Sequence, residues 1–178
     1  GAYLAFTRNY PSDYVGPTGP GLWVPTPSVA QPAFNFKPAM QPYWGNNRPF
    51  EIVNVASNLI LALPMQYDTA VASPYYQACM DVYQQGLNNS AEEIEIAQFW
   101  ADDVGSYSPP GHSIAIAQIV MNNQSVALDQ AVELLARIGI GVSDAFVNCF
   151  KNKYLFNYLR PITFIQNYVD INWNSLIG

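Results

Sequence analysis

Positive charge is scarce in this chain: seven Lys and Arg stand against thirteen Asp and Glu, for a formal net charge of −6. Nucleic acids and anionic membrane surfaces are bound through basic stripes, so neither is an expected partner. Histidine is scarcer still. His112 is the only one, and a di-iron carboxylate site, which needs Glu-x-x-His pairs on facing helices, has no material here. Cys79 and Cys149 are far apart and form no Cys-x-x-Cys motif, so two buried free thiols are expected rather than a metal or redox pair. No apolar run approaches the roughly 20 residues that span a bilayer. The most apolar stretch, Ile52 to Leu63, carries Asn54, Ser57 and Asn58 and stops at Pro64.

Hydrophobic residues and prolines are what the chain does have. Half of its 178 residues are hydrophobic, which is enough for one globular domain with a real core. Residues 1–49 hold nine of the fourteen prolines together with Tyr3, Phe6, Tyr10, Tyr14, Trp23, Phe34, Phe36, Tyr43 and Trp44. Proline on this scale forbids a long helix or an interior strand, and the aromatics favour burial, so the segment reads as an extended arm laid over a helical body.

From residue 50 onward the pattern is helical. Ser73-Pro74 reads as an N-cap followed by Pro at the first helical position, opening a helix to about Leu87. Ser90 to Glu93 has the spacing of a capping box, and Ile94, Ala97, Phe99 and Trp100 give the next helix an expected buried face. Asp102 to Gly111 reads as a loop. His112 to Met121 then returns to helix, with Ile114, Ile116, Ala117, Val120 and Met121 as its apolar positions. From Ser125 a long helix is expected, because Leu128, Val132, Leu135, Ile138, Val142, Ala145, Phe146 and Cys149 recur at intervals of three and four. Gly139 and Gly141 lie inside it without the strand and third glycine of a dinucleotide turn, and they suggest close approach of a neighbouring helix. The fold class is therefore all-α: an irregular helical bundle (50–178) wrapped by a Pro- and aromatic-rich arm (1–49).

Four of the seven cations, Arg137, Lys151, Lys153 and Arg160, fall in one segment. Seven residues separate Lys153 from Arg160, which on a continuous helix places both on nearly the same face, about two turns apart. Pro161 disfavours the α conformation at Arg160, so the helix should stop or kink there and leave the guanidinium free to meet an anion. The plain alternative is a snorkelling Lys/Arg pair with an apolar back. The acidic run Glu92, Glu93, Glu95, Asp102 and Asp103 reads as solvated helix-start acids complementing the helix dipole.

Lys153, six residues, then Arg160-Pro161 resembles the first signature of the vanadium-dependent haloperoxidase and PAP2-type acid phosphatase superfamily. Ile94-Glu95-Ile96-Ala97-Gln98-Phe99-Trp100-Ala101-Asp102, the Tyr107 to His112 turn, Trp23 to Pro27, Trp44-Gly45 and Arg48-Pro49-Phe50 are similar to blocks of its soluble bacterial branch, in the same order. The resemblance implies that Lys153 and Arg160 help hold vanadate, with hydrogen peroxide and halide as substrates of the complete enzyme. In the phosphatase alternative, the same donors hold phosphate during ester hydrolysis. It also implies an incomplete site. The family's Ser-Gly-His segment and its later Ser-Arg and histidine follow Arg-Pro, and Ile162 to Gly178 contain none of them. His112 precedes Lys153, so pairing with Asp102 or Asp103, or capping, is its expected role. No catalytic residue and no metal ligand are assigned within the chain, and a second fragment or a homo-oligomer is an expected partner. A non-catalytic helical module remains the reading from a third class. Gly1 in place of Met is compatible with an exported protein after removal of a signal peptide.

Overall fold

A computed structural model of the chain describes residues 14–25, 39–52, 65–102 and 106–177. Among these, a 3-10 helix, Trp44–Asn46, precedes five α-helices: α1 (Pro74–Asn88), α2 (Ala91–Trp100), α3 (Ser108–Asn123), α4 (Leu128–Phe156) and α5 (Pro161–Tyr168). The described residues contain no sheet; a lone antiparallel bridge joins Leu22 to Tyr158. The fold is all-α. No helix among the described residues is long and apolar enough to cross a membrane. The apolar stretch 53–63 and much of the expected arm lie outside the described residues.

The helix starts follow local chemistry. The Ser73 hydroxyl accepts from the Tyr76 N–H at 3.1 Å with Pro74 at the first helical position. Ser90 and Glu93 form the reciprocal capping box: Glu93 N–H donates to the Ser90 hydroxyl, and Ser90 N–H to the Glu93 carboxylate at 2.7 Å. Together these satisfy donors that a helix start leaves open. Two boundaries differ from expectation. Helix α3 begins at Ser108 rather than His112, because Pro109 and Pro110 sit in the first turn, where a missing N–H costs nothing. Helix α4 begins at Leu128, since Ser125 adopts a left-handed conformation (φ 49°) and caps nothing.

The core lies between α1 and α5. Tyr75 and Cys79 of α1 pack with Leu159, Ile162, Phe164 and Ile165, and Trp173 closes the cluster. Phe164, fully buried, makes T-shaped contacts with Tyr75 (centroids 5.1 Å apart) and Tyr76 (5.6 Å), an arrangement that aligns ring edge with ring face. Burial pushes the Cys79 thiol above its usual pKa, opposed by a hydrogen bond with Tyr75. Cys149 is exposed, contrary to expectation.

Other expected core positions are open as well. Helix α2 buries none of its residues; Phe99 and Trp100 are 61% and 58% exposed. Ile114, Ile116 and Val120 of α3, and Leu128 and Val132 of α4, are also exposed. Periodicity identifies an apolar face but not whether a partner is present to cover it. The buried residues of α4 are instead Asp144 and Val147, and the 3-10 helix rests on the same helix at Phe150 and Lys151. Gly139 and Gly141 approach no neighbouring helix: a Cβ built on either meets nothing within 4 Å among the described residues. The close approach is at Gly45, whose added Cβ would lie 2.6 Å from the Cα and N of Lys151.

Candidate anion-binding site

Helix α4 ends at Phe156, not at Arg160. Asn157 adopts the left-handed conformation (φ 47°, ψ 45°) and its N–H bonds back to the Lys153 carbonyl at 2.9 Å, the one-bond left-handed helix stop that Asn tolerates better than most residues. The expectation of one continuous helical face for Lys153 and Arg160 is therefore corrected. The next residues leave the helix because the arm holds them: Trp23 N–H donates to the Asn157 carbonyl at 2.7 Å, and Leu159 N–H to the Gly21 carbonyl at 2.9 Å. Gly21 has φ +74°, and a Cβ there would lie 2.5 Å from Tyr67 Cβ, so the arm passes only because the residue is glycine. The Asn157 amide also donates to the Tyr14 hydroxyl at 3.0 Å. Pro161 acts as expected on its neighbour: Arg160 is extended (φ −76°, ψ 145°) and α5 starts behind it.

The break leaves the Arg160 charge acting on Lys153. Lys153 is exposed as a residue, yet its ammonium lies 5.3 Å from the Phe150 ring centroid and 5.9 Å from that of Tyr154. Lost hydration, with the Arg160 charge adding to it and Cys149 opposing, holds the Lys153 ammonium below the usual lysine range. Among the described residues neither Lys153 nor Arg160 joins an ion pair; the two pairs present are His112–Asp102 and Arg137–Glu133. The acidic residues that flank the pair in sequence are engaged elsewhere. Asp144 accepts from the N–H groups of Phe50, Glu51 and Ile52 at 2.7, 2.8 and 3.0 Å, and Asp170 accepts from the Tyr83 hydroxyl and the Asn172 N–H.

The four-cation cluster read from the sequence is thereby reduced to two. Arg137 pairs with Glu133 on its own helix. Lys151 donates to the Asn46 side chain at 2.9 Å and lines, with Pro42, Gly45, Asn46, Phe150, Tyr154 and Leu155, a cavity of about 240 Å³. Lys153 and Arg160 do not line that cavity. His112 is buried, its Nδ1 2.8 Å from the Asp102 carboxylate and its ring stacked on Trp100, as its expected pairing requires. Among the described residues no three His, Cys, Asp or Glu side chains cluster as metal ligands.

No family model matches this sequence, and no curated protein does. A solved structure does: the first bacterial vanadium-dependent iodoperoxidase matches with a TM-score of 0.84 and 27% identity, over 98% of this chain. That likeness supports a relation to the vanadium haloperoxidase superfamily. The chain spans 42% of the iodoperoxidase chain, so the haloperoxidase likeness covers nearly all of this protein and less than half of its counterpart. Within the haloperoxidase-like fold, sequence reasoning missed Asn157 as the residue that separates the two cations. Asn followed four residues later by Pro is a recognisable helix stop, but the pairing of residues 157–159 with the arm has no local signature.

Proposed function

We propose that this chain supplies the Lys153 and Arg160 portion of the vanadate site of a haloperoxidase-like enzyme, from a helical body that begins near residue 50 under a wrap formed by residues 1–49. The observation that carries the reading is two cations without a carboxylate partner among the described residues, the charge of Arg160 acting on a Lys153 already short of hydration. Such a pair lacks an anion, and a tetrahedral oxyanion fits it: guanidinium and ammonium donors each meet a different oxygen by charge-assisted hydrogen bonds. Lys153 would act as a point charge and Arg160 as a planar fork, and both would neutralise charge developing on the oxyanion. Bound vanadate would supply the activation of hydrogen peroxide towards halide. Phosphate shares the donor geometry, which keeps phosphate-ester hydrolysis as the competing chemistry.

The test is anion binding by the chain itself, followed by calorimetry with phosphate and by vanadium NMR with vanadate. Replacing either cation by alanine removes charge-assisted bonds of about 1.5–3 kcal/mol and should weaken binding roughly 10- to 100-fold. Binding that is unchanged in both Lys153→Ala and Arg160→Ala would refute the assignment and leave a non-catalytic helical module. In the protein from the complete reading frame, halide oxidation measured against phosphate-ester hydrolysis separates the two chemistries.

A further inference from the structure

Helix α3 carries no Lys, Arg, Asp or Glu anywhere between Ser108 and Asn123. It buries His112 and Ala117, while Ile116, Ile119 and Val120 are 42%, 60% and 48% exposed. His112, Ile116, Ile119 and Val120 are spaced i, i+4, i+7 and i+8, so they form one continuous stripe. The stripe is capped by aromatics held in fixed positions. Trp100 stacks on His112 with centroids 4.6 Å apart and planes 12° from parallel, Phe99 meets the same ring edge-on at 4.8 Å, and Asp102 fixes the imidazole from Nδ1 at 2.8 Å. Leu128 and Val132 are exposed on the first turns of α4, and Val132 is about 30 Å along that helix from Lys153.

We propose that this stripe is the docking face for the polypeptide equivalent to the part of the iodoperoxidase fold that this chain does not match. Trp100 is the anchor, and the His112–Asp102 pair is the device that positions it. An uncharged helix with apolar residues on two sides is a helix meant to be covered on two sides, and among the described residues α4 packs along one of them while α2 meets only its His112 end. The fold likeness takes in 98% of this chain but 42% of its counterpart, so the counterpart holds substantial polypeptide beyond the matched portion that is available to cover such a face. The stripe, capped by Trp100 and Phe99 packed on His112, has the composition of an interface centre. With no charge along α3, the occupant is an apolar helical surface rather than an acidic or basic peptide. The inference rests on the reading that the chain is one portion of an enzyme; it requires no vanadate.

The experiment places one thiol on the stripe, Ile119→Cys in a Cys149→Ser background, with Cys79 silent because it is buried. Maleimide labelling is then compared between the 178-residue chain and the protein expressed from the complete reading frame. The chain should label at the rate of a free thiol, and the longer protein roughly 100-fold more slowly. In the longer protein, Trp100→Ala should restore labelling by roughly tenfold, and His112→Ala should do so in part while His112→Phe, which keeps a ring under Trp100, does not. Equal labelling rates in the two proteins would overturn the proposal. So would slow labelling of the 178-residue chain that is relieved by dilution, because a second copy would then be the occupant, and so would a reading frame that encodes nothing beyond these residues. Anion binding is measured separately, so loss of the vanadate assignment and loss of the docking face are distinguishable results.

Discussion

Two glycine substitutions of the same kind should move stability in opposite directions. At Gly45 the new methyl would lie 2.6 Å from two backbone atoms of Lys151, about 1 Å inside the ~3.5 Å at which carbon contacts become favourable. Neither side can rotate away, because the obstacle is the main chain of α4 and not a side-chain tip. Relief requires the 3-10 helix to lift from α4, which loosens the Trp44–Phe150 contact (centroids 6.2 Å apart) and the Lys151–Asn46 hydrogen bond. Overpacking of this kind costs about 1–3 kcal/mol, and at roughly 2–4 °C per kcal/mol for a chain of this size the midpoint should fall by about 2–12 °C. Gly139→Ala and Gly141→Ala meet open space within a helix, and each should gain about 0.5–1 kcal/mol from the lower entropy of the unfolded chain. Urea unfolding followed by circular dichroism, with the denaturant slope checked for constancy, reads all three. If Gly45→Ala unfolds with the parent, the 3-10 helix does not rest on α4 as described.

The arm offers a second test: Gly21→Ala is strained at φ +74° and collides with Tyr67, so it should free the amides of Trp23 and Leu159 to exchange with solvent and weaken phosphate binding through displacement of Arg160. For Asp144, burial raises the carboxyl pKa, but three backbone hydrogen bonds outweigh it and hold the group below the usual aspartate range. Its contribution is therefore complete above the ordinary aspartate pKa and is lost as pH falls through the lowered value; Asp144→Asn should flatten the acid limb of the stability profile and speed exchange at the amides of residues 50–52. Lys153 shifts in the same direction, but for a cation this disfavours the charged form. Its pKa is lowered on folding, mainly by lost hydration, so between the folded and unfolded values the unfolded chain holds more protons and stability rises with pH. Phosphate affinity should fall through the same window, and Lys153→Arg, which stays charged, should remove the fall.

Much of the fold was legible in the sequence where a few neighbouring residues decide the outcome. Ser73-Pro74 and the Ser90–Glu93 box act within one turn, and both helices start where that chemistry places them. The helical spacing of α4 was equally clear. Burial along it was not, because Cys149, Leu128 and Val132 lie on an apolar face whose cover depends on packing remote in the chain. The same holds for Phe99 and Trp100: their apolarity was plain, but their role as an open, fixed surface over His112 depends on which polypeptide meets them. At the candidate site the two cations and the proline were evident, while the route between them was not. It is set at Asn157 and by backbone pairing with Gly21 and Trp23.

That pairing also bears on the order in which the protein assembles. Leu22 meets Tyr158 across roughly 135 residues of intervening chain, a closure that folding pays for before the contact returns anything. Helices α1 to α4 can form from local contacts, whereas the turn that carries Arg160 towards Lys153 waits for the arm to arrive. In a stopped-flow refolding experiment the helical signal should therefore precede the capacity to bind phosphate. An oxyanion ligand would then report on long-range closure of the chain as much as on the charge of two side chains.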